Sequence, residues 1–191
     1  MKTKKLTGLI SVLFILFGLS TTASAIPIVN SSFEDNQPPN PVATPWKSNP
    51  NGTYATGLLN GWTISGTGGT WQPSTIPFPS GVQDGTNVAF VNSGASIFQA
   101  LNPVADSLAR LTQDLTYTLS VYVGQRASEP SKYGWGYTDE LLAGGTVIAT
   151  ENTLTPGAGN FALSEITYTA DAFDPYLGYP IVITVQNPPG L

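Results

Sequence analysis

Leu115-Thr-Tyr-Thr-Leu-Ser-Val-Tyr-Val-Gly124 is the stretch from which the fold can be read. Leu115, Tyr117, Leu119, Val121 and Val123 fall on one face, and Thr116, Thr118, Ser120 and Tyr122 fall on the other. Alternation with period two in β-branched and aromatic residues predicts a half-buried strand. Downstream, Glu140 to Thr150 carries Gly144-Gly145 between Leu141-Leu142-Ala143 and Thr146-Val147-Ile148-Ala149, the pattern of a hairpin with a two-residue turn. Phe161 to Thr169 and Ile181 to Gln186 read as two more strands. Upstream, Ile26 to Phe33, Trp62 to Ser65, Val88 to Asn92 and Ala95 to Leu101 read likewise.

Asn60-Gly61, Asp84-Gly85, Ser93-Gly94 and Pro156-Gly157 punctuate these runs as turns. The one helical candidate, Val104 to Leu111, is expected to make a turn or two. Residues 36 to 57 are rich in Pro, Gly, Asn and Thr and predict a long loop. With 20 Gly, 16 Pro and only 10% charged residues, the chain suits short strands joined by turns. The expected fold is all-β: a single antiparallel β-sandwich of jelly-roll type.

The first residues address the chain. Lys2, Lys4 and Lys5 precede an apolar run from Leu6 to Leu19, followed by Ala23-Ser24-Ala25. A basic start, an apolar core and a small-residue ending make a secretory signal with cleavage after Ala25. The core is shorter than the ~20 residues that span a bilayer. The expected organisation is therefore a signal peptide at 1–25 and one domain at 26–191, secreted or displayed at the cell surface. Losing three lysines leaves four basic against twelve acidic residues, a formal charge of −8. Such a chain repels phosphate, which excludes nucleic acid and polybasic lipid contacts.

Histidine and cysteine are both absent. That removes Ser-His-Asp and Cys-His nucleophile systems and zinc sites of the usual kind. The acid pairs Glu34-Asp35 and Asp139-Glu140 are sequence neighbours, and neighbours on a strand point to opposite faces. A glycosidase needs two carboxylates facing each other across a substrate. On residues alone, then, the chain is expected not to be an enzyme.

The aromatic residues suggest a binding role instead. Tyr133-Gly134-Trp135-Gly136-Tyr137 lies between two predicted strands, flanked by Lys132 and Asp139. Sugars present flat C–H faces to aromatic platforms, and in an extended segment Tyr133, Trp135 and Tyr137 share one side. Trp71 and Trp46 are the further candidates for carbohydrate contact, from a loop edge and from the long loop, while Trp62 is read as core. Calcium takes carboxylate and carbonyl oxygens, and Glu34, Asp35, Asn36 and Asp84 are the residues expected to hold a structural calcium ion.

The order of motifs carries a resemblance. It runs Ile26-Pro-Ile-Val-Asn-Ser-Ser-Phe-Glu34, Gly61-Trp62-Thr63, Gly81-Val-Gln-Asp-Gly-Thr-Asn-Val-Ala-Phe90, Leu141-Leu-Ala-Gly-Gly-Thr-Val-Ile-Ala149 and Ile166-Thr-Tyr-Thr-Ala170, with the 116–124 strand between. This order resembles exported bacterial proteins of the PEP-CTERM type, whose domain is similar to galactose-binding-like jelly rolls. The resemblance implies a non-catalytic module that binds extracellular or cell-envelope polysaccharide or glycoconjugate. The alternative is a structural matrix protein that self-associates. The last strand motif of that group, F-D-N-V-R-L-like, and its sorting tail are missing here. The expectation is therefore a truncated chain or a secreted variant with an open sheet edge.

Overall fold

A computed structural model describes residues 25–36, 46–102, 104, 106–127 and 136–189. Eleven strands are present among them: β1 Lys47–Asn49, β2 Gly52–Thr56, β3 Thr63–Ser65, β4 Gly68–Pro73, β5 Val88–Val91, β6 Ala95–Ala100, β7 Thr116–Gln125, β8 Thr138–Ala143, β9 Thr146–Glu151, β10 Asn160–Thr169 and β11 Ile181–Asn187. They form a four-stranded sheet in the order β1-β2-β4-β5, a pair β10-β7, and a five-stranded sheet β3-β6-β11-β8-β9. Every pairing is antiparallel. The all-β sandwich expected from the sequence is the fold observed.

Alternation builds β7 as read. Tyr117, Leu119 and Val123 are buried, while Thr116, Thr118, Ser120 and Tyr122 face solvent. Residue by residue, β7 pairs with β10 from Thr116↔Thr169 to Gln125↔Asn160. Gly144 and Gly145 turn β8 into β9 with φ of 59° and 84°. Two successive left-handed residues are what a tight turn matched to strand twist demands, and glycine adopts them without strain.

The main core lies where the β7–β10 pair covers the five-stranded sheet. Leu111, Leu119, Leu141, Ile166, Ile181 and Ile183 meet there. Burying each such side chain contributes roughly 1.5–3 kcal/mol relative to exposure. Tyr117 locks the chain crossing at the core's edge: its hydroxyl donates to the Arg110 carbonyl at 2.8 Å and accepts from the Thr112 amide at 2.9 Å. The helical candidate at 104–111 shrinks to one 3-10 turn, Ser107–Ala109, capped by the Asp106 side chain.

Two expectations fail. Residues 26–33 do not form a strand, because Asn30 and Phe33 take left-handed φ of 49° and 63°. Gln99 replaces the missing ladder. Its amide oxygen accepts from the Val29 amide at 2.8 Å, and its amide nitrogen donates to the carbonyls of Val29 at 3.0 Å and Gly61 at 2.7 Å. The 36–57 segment is not loop throughout, since β1 and β2 occupy its second half.

Candidate functional site

A cavity of about 650 Å³ opens between the sheets. Its aromatic corner draws on four elements: Tyr54 on β2, Trp71 on β4, Phe90 on β5 and Phe161 on β10, with Phe78 from the 74–79 segment. Phe78 stacks on Phe161 with centroids 4.5 Å apart and meets Trp71 at 5.7 Å. Tyr54 meets Phe90 edge-on at 6.2 Å. The Arg126 guanidinium lies over the Trp71 ring, 5.1 Å from its centroid. Ring faces carry negative quadrupole, so this corner suits a flat apolar ligand and favours positive charge held against it.

A second feature lies one side chain behind the cavity wall. Asp139 on β8 is fully buried. Neither carboxylate oxygen finds a hydrogen-bond partner among the described residues, and the same holds for the buried Ser164 hydroxyl. Burial pushes the Asp139 carboxyl up to about 6. The Ser164 hydroxyl pulls it back without meeting hydrogen-bond geometry, and the neighbouring Glu151 charge adds to the rise. Tyr137, just ahead of β8, and Val185, the register partner of Asp139, both line the cavity.

The expected metal residues gather at a separate corner. Glu34 Oε1 accepts from the backbone amides of Thr86 and Asn87, each at 2.7 Å, and Oε2 accepts from the Thr86 hydroxyl at 3.1 Å. Glu34 thereby clasps the turn that contains Asp84. A side chain at Gly85 would collide with the Glu34 carboxylate. Asp35 enters through its backbone, donating its amide to Asn30 Oδ1 and accepting at its carbonyl from Asn60 Nδ2. Asn36 ends the 3-10 turn Glu34–Asn36. Among the described residues, no three acidic side chains cluster as a metal site.

Of the aromatic residues read as a sugar platform, Tyr133 and Trp135 lie outside the described residues. Tyr137 is buried at 6% exposure, accepts from the Leu154 amide and donates to Glu151 Oε1. Its ring is therefore walled into the protein and not offered outward. Trp46 is half-buried ahead of β1 and apart from the cavity, and Trp71 enters the aromatic corner. Sequence reading missed Tyr54, Phe78, Phe90 and Phe161. They lie on separate segments between residues 54 and 161, and only sheet packing brings them together.

Residues 24–190 match the family model HpiC1-like, described as HpiC1 cyclase. The chain belongs to the HpiC1-like cyclase family. No curated protein sequence matches it. Among solved structures, it is similar to an apo cyclase from Fischerella sp., at 26% identity over 85% of this chain and 86% of that one, TM-score 0.67. It is also similar to a cyclase from Fischerella sp. TAU solved with 4-(1H-indol-3-yl)butan-2-one, at 26% identity over 87% and 89%, TM-score 0.67. The Stig cyclase Fisc from the same source, with (3Z)-3-(1-methyl-2-pyrrolidinylidene)-3H-indole, shares the fold at 24% identity over 87% and 90%, TM-score 0.68.

Membership in the HpiC1-like family overturns five expectations at once. The chain is of the HpiC1-like family, not of the PEP-CTERM type that its order of motifs resembled. The non-catalytic sugar-binding reading gives way to an enzyme family, and the self-associating matrix alternative falls with it. The extracellular polysaccharide expected as partner is not what the similar structures hold: the two solved with ligands carry small indoles. Excluding catalysis for want of histidine and cysteine failed because ring closure needs neither a nucleophilic triad nor zinc.

Proposed function

We propose that this chain is an exported cyclase that closes a ring on a 3-substituted indole held in the aromatic corner of the cavity. The observation that carries the reading is that corner, in a chain of a cyclase family. Indole is flat and electron-rich, and it suits packing against the wall that Trp71, Phe78 and Phe161 form together. Intramolecular ring closure passes through states that place positive charge on the indole and its side chain. Ring faces stabilise such charge, by about 2 kcal/mol or more where water is excluded. The Arg126 guanidinium over Trp71 marks where a cation rests in this corner. The floor at Ile97, Ile183 and Val185 is apolar, while Asp84, Asn87, Gln125 and Gln186 supply polar groups to the rest of the wall. Calorimetric titration with 4-(1H-indol-3-yl)butan-2-one tests the reading: saturable one-to-one binding supports it, and a flat trace from folded protein contradicts it.

Calcium is the cofactor in this reading, at the Glu34 corner. Supporting it, Asn87 Oδ1 is buried beside the Phe33–Glu34 backbone and finds no donor among the described residues. An amide oxygen without a donor and a carboxylate next to it suit a hard cation. The ion would supply charge that fixes the 84–87 turn, which lines the cavity at Asp84 and Asn87. Calcium at about a hundred times its dissociation constant adds ~2.7 kcal/mol, so the melting temperature is expected to rise by roughly 5–10 °C. Chelator reverses the gain, and Glu34→Gln abolishes it. Equal melting curves with calcium and with chelator contradict the assignment.

Export through the 1–25 signal completes the reading. Amino-terminal sequencing of the secreted protein is expected to begin at Ile26, and a start at Met1 contradicts it.

A further inference from the structure

The aromatic corner has one member that no strand holds. Tyr54, Trp71, Phe90 and Phe161 sit on β2, β4, β5 and β10, whereas Phe78 hangs from a strap, residues 74–81. The strap leaves the end of β4 and crosses to the chain just past β7. Ser74 fixes its start. The Ser74 amide donates to the Asn51 carbonyl at 2.9 Å and its hydroxyl to the Pro50 carbonyl at 2.8 Å, in the turn between β1 and β2. The next anchor is the Thr86–Asn87 backbone, clasped by Glu34.

Between these anchors, and among the described residues, one hydrogen bond joins the strap to another element: the Ala127 amide donates to the Pro77 carbonyl at 2.9 Å. Two more bonds are internal, from the Ile76 amide to Ser74 Oγ at 3.3 Å and from the Gly81 amide to the Phe78 carbonyl at 3.0 Å. The sequence accounts for this sparse tethering, since Pro73, Pro77 and Pro79 have no N–H to give. Gly81 ends the strap with a left-handed φ of 79°.

The strap is one chain thick. Thr75, Ile76, Pro79 and Ser80 face solvent, while Pro77 and Phe78 are buried beneath them. Below, Phe78 stacks on Phe161, whose ring lies against the Gly124 backbone, where any side chain would strike it. The strap itself rests on Gly159: a β-carbon there would come within 3.0 Å of Pro79 Cδ and 3.2 Å of Ala127 Cβ. Both seats are glycines, so the strap closes flush onto the strand ends. One buried ring and one hydrogen bond hold its middle down.

We infer that the 74–81 strap is the door of the cavity and Phe78 its latch. The strap lifts between Ser74 and Gly81 to admit the ligand, and it closes with the Phe78 ring against that ligand. The identity of the ligand rests on the indole reading; the motion does not. A segment fastened at its ends opens more readily than strands paired residue by residue. Its lifting bares the faces of Trp71 and Phe161 without parting any pair of strands. Association therefore depends on Phe78, whereas a residue that merely lines a site acts mostly on dissociation.

Amide exchange and ligand kinetics, both read by NMR on residues 26–191, test the door. In Phe78→Ala the Ala127 amide is expected to exchange about tenfold faster or more, with the amides of β7 and β10 unchanged. Association of 4-(1H-indol-3-yl)butan-2-one should quicken by a similar factor, and so should dissociation. Phe90→Ala removes a wall ring on β5 away from the strap and should quicken dissociation alone. Phe78→Leu keeps an apolar latch and should fall between, which decides the matter if the alanine variant does not fold. An Ala127 amide that exchanges as before, or acceleration of all β7 and β10 amides together, overturns the door. So does faster dissociation with unchanged association, the mark of a fixed wall. If no variant binds the ketone, the indole reading fails and the exchange of Ala127 decides the door by itself.

Discussion

Asp139→Asn is expected to melt at a higher temperature than the unaltered chain at pH 8, with the difference vanishing below about pH 4. Asp139 is buried with both oxygens unpaired, and its carboxyl is pushed up to about 6 in the folded state. In the unfolded chain the same carboxyl titrates near 3.9. Between those values the folded state holds a proton that the unfolded state has released. Stability therefore falls as pH rises from about 4 through 6, and it stays low above that. The displacement corresponds to roughly 3 kcal/mol, or about 6–12 °C in a domain of this size. Asparagine keeps the shape and removes the charge. Because other carboxylates also titrate in this range, the difference between the two proteins is the quantity to follow by calorimetry from pH 4 to 8. A difference independent of pH would mean that the buried carboxylate ionises without penalty.

Trp71→Ala should weaken binding of a 3-substituted indole by tens-fold to about a hundredfold. Its ring packs on Phe78 and takes the Arg126 cation on its face. Removing it deletes a stacking surface and opens the corner to water, a loss of about 2–3 kcal/mol for a central aromatic contact. Trp71→Phe keeps a smaller face and should recover part of the affinity. Phe173→Ala, on a ring 94% exposed and away from the cavity, should change nothing. Circular dichroism distinguishes a lost contact from a lost fold. An unaltered affinity in folded Trp71→Ala would place the indole elsewhere.

The strands that could be read from the sequence were those with one wet and one dry face. β7, β8, β9, β10 and β11 alternate or carry β-branched runs, and each lies within a residue or two of its expected place. The four-stranded sheet was harder to read. β1, β2 and β4 are short and contain Asn, Gly, Thr and Pro, because their backbones approach closely: a side chain at Gly69 would strike the Ala55 carbonyl. Residues 26–33 read as a strand from their apolar residues, yet their backbone groups are satisfied in part by the Gln99 side chain. No local period records such a substitution.

Of the aromatic corner, only Trp71 was singled out from the sequence, while Tyr137 and Asp84 reach the cavity elsewhere. The rest of the aromatic corner comes from single residues on separate strands, each of which reads locally as core. Tyr133–Tyr137 drew attention because its rings are close in sequence, but Tyr137 is buried under its own hydrogen bonds. Asp139 was read only as half of an adjacent acid pair whose members point to opposite faces. Its place on the Leu141–Ala143 face of β8 puts it in the interior. Reasoning from missing catalytic motifs went wrong because the lack of histidine and cysteine excludes triad and zinc chemistry only, and the chain belongs to a cyclase family.

The measurement that tests the cyclase assignment most directly is turnover. Residues 26–191, with calcium, are incubated with a 3-substituted indole bearing an unsaturated side chain, and products are separated by chromatography and weighed by mass spectrometry. Ring closure conserves every atom, so the expected product has the mass of the substrate, a different retention, and fewer alkene signals in its proton spectrum. It should form faster than in buffer and much more slowly with Trp71→Ala. Recovery of unchanged substrate from folded protein that binds the indole would contradict the assignment.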